Sequence, residues 1–131
     1  MIIGHGIDMV DIGWTEGFLA EPSGQFLARY FTETERAVVE EGREVAARLS
    51  GRLAAKEAVM KALGTGFSGG IGFHQIEVIT LPSGAPSIQL HGAAAEKAKQ
   101  LGIVRWLVST SHEGNMAIAS VIALGDQDTP R

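Results

Sequence analysis

Residues 44 to 63 read E-V-A-A-R-L-S-G-R-L-A-A-K-E-A-V-M-K-A-L, the longest helical pattern in the chain, and Gly64-Thr65-Gly66 follows it. No other stretch restricts the fold as much. Alanine, leucine and the straight-chain charged residues favour a helix, and a glycine directly behind the last periodic position supplies the left-handed residue that closes it. The pattern therefore predicts one helix capped by Gly64. At 3.6 residues per turn Leu49, Leu53 and Met60 share a stripe, and Glu57 lies about 40° round the wheel from Leu53, at the edge of the buried face. Arg52 and Lys56 fill the next sector, and Lys61 follows Glu57 by one turn.

Residues 2 to 10 alternate, with Ile3, His5, Ile7 and Met9 on one face and Ile2, Gly4, Gly6, Asp8 and Val10 on the other, which predicts a strand. Two glycines precede Asp8 on its face, leaving its carboxylate unshielded with room for a ligand along the backbone. Trp14 to Phe31 reads as short helical pieces broken at Pro22-Ser23-Gly24. Thr32-Glu33-Thr34-Glu35 is a capping box that starts a helix, with Gly42 as its end. From Gln75 the period changes to two, giving a hairpin around the turn Pro82-Ser83-Gly84-Ala85, then a short helix from Ala93 to Leu101. Strands at 103–110 and 116–124 are joined through Ser111-His112-Glu113-Gly114-Asn115, which puts His112 and Glu113 at a hairpin tip. Residues 125–131 read as a frayed, flexible tail. With no repeat and no linker, 1–124 is expected to be one domain.

The 131 residues suit one domain with a core that needs no disulfide or structural metal. Without cysteine there is no thiolate zinc site and no cysteine nucleophile, which fits a cytoplasmic setting. Neither a basic apolar leader nor a bilayer-spanning run is present in the sequence, so no membrane partner is expected. A net charge of -4 argues against nucleic acid as a partner. Yet Arg43, Arg48, Arg52, Lys56 and Lys61 fall close together with only Glu44 and Glu57 among them, a local balance suited to a small anion.

Asp8 and Glu57 are hard oxygen donors of the kind Mg²⁺ takes alongside waters and phosphate oxygens. Spacing alone equally allows Asp8 to cap a turn and Glu57 to pair with Lys61. Lys56 and Lys61 are suited to neutralising charge on a phosphate in a displacement reaction, or to forming a solvated helix face. The glycine-rich loop Gly64 to Gly70 can offer N–H groups to an anion, but it follows its helix and so is no P-loop. His112 is placed either to touch a phosphate or relay a proton, or to be an ordinary turn histidine. His5 reads as a core or interface residue, and His74 and His91 as strand-end residues. Ser109 to His112 lacks the glycines of a nucleophile elbow.

Gly6-Ile7-Asp8, F-T-E-T-E at 31–35, G-R-L-A-A-K-E-A-V-M-K-A-L-G-T-G at 51–66 and S-T-S-H at 109–112 resemble, in order and spacing, the holo-acyl-carrier-protein synthases, the small type of phosphopantetheinyl transferase. The likeness spans residues 1 to about 124. It implies an α+β fold in which one long helix packs on a small antiparallel sheet, assembled as a homotrimer with active sites between subunits. It also implies a Mg²⁺-dependent transfer of the 4′-phosphopantetheine arm of coenzyme A to a serine of apo acyl carrier protein, releasing adenosine 3′,5′-bisphosphate. Matched residue by residue, Asp8 and Glu57 hold the metal and Glu57 activates the serine, while Lys61 faces the pyrophosphate. Arg52 and Lys56 match groups near coenzyme A, Gly64, Thr65 and Gly66 a loop beside the nucleotide, Ser83, Gly84 and Pro86 a turn near the adenine, and His112 a histidine close to the 3′-phosphate. Two departures stand out. Ala85 replaces a lysine of that turn, and the first helix has no basic residue before Arg29, so Trp14 and Phe18 are left to meet the carrier. The likeness leaves room for a transferase serving a specialised polyketide-type carrier, and for a trimeric coenzyme A-binding module without catalysis.

Overall fold

A computed structural model describes residues 1–37 and 44–126. Its centre is the helix expected from the sequence, α4 (Val45–Leu63), closed by Gly64 at φ 76°. The other elements in chain order are β1 (Ile2–Asp11), α1 (Ile12–Leu19), α2 (Gln25–Tyr30), α3 (Glu33–Ala37), β2 (Ile76–Thr80), β3 (Pro86–Leu90), α5 (Gly92–Gln100), β4 (Ile103–Glu113) and β5 (Met116–Gly125). This is the α+β arrangement the resemblance implies. Gly42 and residues 127–131 lie outside the described residues, so the expected helix end and the outer part of the tail are not among them. Gly125 belongs to β5, its N–H donating to the Met1 carbonyl at 2.8 Å.

Strands β1, β5 and β4 form an antiparallel sheet in the order β1-β5-β4, and β2 and β3 form a separate hairpin. The inward face of β5 is built from Ala117, Ala119, Val121 and Ala123, all buried, and small residues there let α4 lie close. On β1 the approach is closer still. A Cβ added to Gly6 would sit 1.8 Å from the Ala58 carbonyl oxygen, and one added to Gly4 would sit 2.8 Å from that of Ala62. The glycines therefore admit the helix and not, as the alternation suggested, a ligand. Asp8, next on the same face, is carried against the helical turn that bears Glu57.

The apolar row on the opposite face of β1 is open. Ile7 is 48% and Met9 57% exposed, and His5 is exposed with its Nε2 3.3 Å from Ser120 Oγ, so the core reading of His5 is corrected. Ile118, Ile122 and the exposed Leu107 continue this outer face.

The capping box forms as expected. The Thr32 N–H donates to Glu35 Oε1 at 2.8 Å and the Glu35 N–H to Thr32 Oγ1 at 3.2 Å. The β4–β5 turn is shorter than expected. Only Gly114 and Asn115 lie between the strands, and His112 and Glu113 are strand residues paired with Ala117 and Met116. Asn115 Nδ2 donates to Asp11 Oδ1 at 2.7 Å, and the same oxygen caps α1 through the Trp14 N–H at 3.1 Å.

Candidate active site

Three of the side chains singled out in the sequence meet beside β1. Strand alternation aims Asp8 at α4, and Glu57 and Lys61, one turn apart, share the helix face that meets it. Lys61 Nζ donates to Asp8 Oδ1 at 2.8 Å and to the Ile7 carbonyl at 3.0 Å. Asp8 Oδ2 is buried, and among the described residues no N–H or hydroxyl group donates to it. Glu57 lies within hydrogen-bonding reach of Asp8. Burial first, then that hydrogen bond and the Asp8 charge, push the Glu57 carboxyl up to about 8, with Lys61 opposing. Asp8 moves the other way: burial, the largest influence, raises it, but the hydrogen bonds with Glu57 and Lys61 outweigh burial and hold it below the ordinary value. At neutral pH the pair keeps one proton, carried on Glu57.

These residues fit a hard divalent cation. The orphaned Oδ2 lacks a positive partner, and a cation bound between the carboxylates would supply one while displacing the shared proton. Among the described residues no cluster of three or more His, Asp or Glu could hold a metal. An open cavity of about 400 Å³ reaches Glu57 and is otherwise walled by Met9, Val10, Asp11, Trp14 and Leu53.

A second constellation lies at the other edge of the sheet, beside β4. Arg48 and Arg52 of α4, Gly84 of the β2–β3 turn, Pro86 at the start of β3, and Thr110 and His112 of β4 line a pocket of about 190 Å³. Arg52 is steadied by a 3.1 Å hydrogen bond to Thr80 Oγ1. The Ser83 hydroxyl shapes the turn by accepting from the Ala85 N–H at 3.3 Å. Gly64, Thr65 and Gly66 close α4 just beyond Lys61, the Thr65 carbonyl accepting from the Ser68 N–H at 3.0 Å.

Lys56 joins neither group, and its reading as a charge facing an anion is corrected. Its side chain is 0% exposed. Its Nζ donates to Glu35 Oε1 at 2.5 Å, the Tyr30 carbonyl at 2.8 Å and the Phe73 carbonyl at 3.0 Å, which uses all three N–H groups. Burial lowers its proton affinity and Glu35 opposes that. Glu35 is the residue that sequence reading missed here. The capping box exposed its role toward Thr32 but not its second oxygen, which accepts from the Val78 N–H at 2.9 Å. A further pair also went unread: Glu77 accepts from Thr32 Oγ1 at 2.6 Å and meets His91.

The frame and the site define a class. The profile of the 4′-phosphopantetheinyl transferase superfamily matches residues 4–119, and the chain belongs to that superfamily. Within it the chain is similar to a holo-[acyl-carrier-protein] synthase of Desulforudis audaxviator, 41% identical over 131 residues, which cover 100% of this chain and 99% of that protein. The solved holo-[acyl-carrier-protein] synthase of Neisseria meningitidis superposes with a TM-score of 0.83 at 30% identity, covering 95% of this chain and 99% of its own. That of Bacillus anthracis, in complex with CoA (3′,5′-ADP), gives 0.78 at 31% identity, covering 96% and 99%.

Proposed function

We propose that this chain transfers the 4′-phosphopantetheine group of coenzyme A to a serine hydroxyl of an apo acyl carrier protein, releasing adenosine 3′,5′-bisphosphate. The observation that carries the reading is the Asp8–Glu57–Lys61 cluster, where two adjacent carboxylates and a lysine meet and Glu57 opens onto a cavity. Asp8 and Glu57 would hold Mg²⁺, which when bound supplies positive charge to pyrophosphate oxygens. Glu57 takes the serine proton on its carboxylate, which faces the cavity. The serine oxygen forms a bond to the phosphorus next to pantetheine as that phosphorus parts from the adenosine-side phosphate oxygen. Lys61 spends two N–H groups on Asp8 and Ile7, and its third is left for a phosphate oxygen of the leaving group. Lys56 serves the reaction only through the frame it fastens.

Coenzyme A reaches from nucleotide to pantetheine, and the Arg52–His112 pocket and the carboxylate cluster stand at opposite edges of one sheet. That separation supports sites assembled between copies of the chain, and the open apolar face of β1 and β5 supplies a surface for the homotrimer the resemblance implies. Cytoplasmic residence, which a cysteine-free core suits, belongs to the same proposal. Among the described residues no helix is long and apolar enough to cross a membrane.

A second reading concerns the acceptor. Helix α1 carries Glu16 and no basic residue, and Trp14 and Phe18 stack edge-on at 4.7 Å, so an apolar docking face favours a carrier less acidic than usual, such as a polyketide-type domain. The test is intact-mass spectrometry of apo carriers of both kinds after incubation with the chain, coenzyme A and Mg²⁺, with an EDTA control. A gain of one phosphopantetheinyl group only with metal is expected, and no gain on either carrier would leave a coenzyme A-binding module.

A further inference from the structure

The side chain of Arg48 is exposed and makes no ion pair or hydrogen bond among the described residues. It stands with Arg52 and His112 around the pocket beside β4, and none of the described residues that line the pocket is acidic. Two guanidinium groups facing one space with no acidic residue in its lining attract an anion, and their planar forks suit the oxygens of a phosphate. The two are close enough to sense each other: burial lowers the proton affinity of Arg52, Arg48 lowers it further, and Glu35 opposes both. The pocket's roughly 190 Å³ is below the range of about 300–1,000 Å³ typical of whole-ligand sites, so it suits one group of a larger molecule. Two guanidiniums, with an imidazole and the Thr110 and Ser111 hydroxyls beside them, match the charge and oxygen count of a terminal phosphomonoester better than those of a diester.

We propose that Arg48 is a specificity-determining residue of this pocket, the second guanidinium that selects a phosphomonoester dianion and so sets apart coenzyme A from its 3′-dephospho form. The assignment rests on the transferase reading, because the monoester in question is that of the donor, and it adds a residue that neither the cluster around Lys61 nor the fold requires. Losing one charged hydrogen-bonding partner is expected to lower affinity for the monoester by roughly tenfold or more.

The experiment measures kcat/KM for coenzyme A and for 3′-dephospho-coenzyme A with the unaltered chain, Arg48→Gln and Arg48→Lys. The ratio of the two is expected to fall at least about tenfold in Arg48→Gln, through KM for coenzyme A, and to recover in part in Arg48→Lys. A ratio unchanged in Arg48→Gln, or an equal loss for both donors, overturns the proposal. Calorimetric titration with adenosine 3′,5′-bisphosphate and adenosine 5′-monophosphate gives an arm independent of catalysis. A preference for the bisphosphate that Arg48→Gln abolishes, in a chain that modifies no carrier, would sink the transferase reading while upholding Arg48. Equal binding of the two nucleotides to the unaltered chain would overturn Arg48 whatever the activity.

Discussion

Lys56 and Lys61 lie on the same helix within five residues, each paired with a carboxylate, and their settings are opposite. The side chains of Lys56 and Glu35 are 0% and 5% exposed, whereas those of Lys61 and Asp8 are 57% and 16% exposed. Lys56 gives its N–H groups to the end of α2, to α3 and to the turn before β2, and has none left for a ligand. Lys61 keeps one in reserve beside a carboxylate oxygen that lacks a partner. One helix thus supplies both a fastening for the frame and a reactive group. The number of acceptors the fold offers decides which lysine becomes which.

The comparison breaks most readily at the carboxylates. Glu57→Gln removes the base and a ligand charge together, and transfer is expected to fall by roughly 10³ or more while the thermal transition stays sharp. Lys56→Ala leaves Glu35 buried without its cation, and a loss of about 3–5 kcal/mol is expected in denaturant titration. Replacing both members of that pair, as in Lys56→Met with Glu35→Gln, is expected to cost far less, because no lone charge remains buried. Lys61→Ala should lower kcat by about 10²–10³, the scale for one charge-stabilising group. Its effect on stability should stay below about 1 kcal/mol, since the lysine is mostly exposed and screened.

The remaining expected effects concern protons. The Glu57 carboxyl titrates near 8 in the folded metal-free chain against an ordinary value of 4.5, so the folded state binds more protons than the unfolded state between those limits. Stability measured in EDTA should therefore be greatest below about 4.5 as far as this group is concerned, fall as pH rises toward 8, and level off above it. Glu57→Gln should flatten that slope. Adding Mg²⁺ at neutral pH should release about one proton, read by calorimetry in buffers of different ionisation heat. No proton release would mean that the carboxylates do not share one.

Helix α4 and its glycine cap were legible in the sequence because propensity, periodicity and stop signal agree over many residues. Asp8, Glu57 and Lys61 could be nominated from residue type and helical spacing, but their meeting depends on Gly6 and Ala58, a backbone contact no periodicity reveals. Lys56 was misread for the same reason. Its place on the wheel beside Arg52 implied solvent, and only the packing of α3 and β2 over that sector turns it inward. The outer face of β1 was misjudged because alternation marks two faces without saying which the helix covers; Gly4 and Gly6 face the helix here, while Ile7 and Met9 are exposed. His112 was expected at a loop tip, and the two-residue turn instead holds it in β4, where it lines the arginine pocket.

The most direct measurement sets the two lysines against each other: intact-mass rates of phosphopantetheinyl transfer to an apo carrier by Lys61→Ala and by the folded Lys56→Met, Glu35→Gln double variant. Near-unaltered turnover in the double variant, with a loss of about 10² or more in Lys61→Ala, is the predicted result. Equal losses in both, with the double variant still folded, would mean that the buried ammonium takes part in the chemistry and that the division of labour along α4 is wrong.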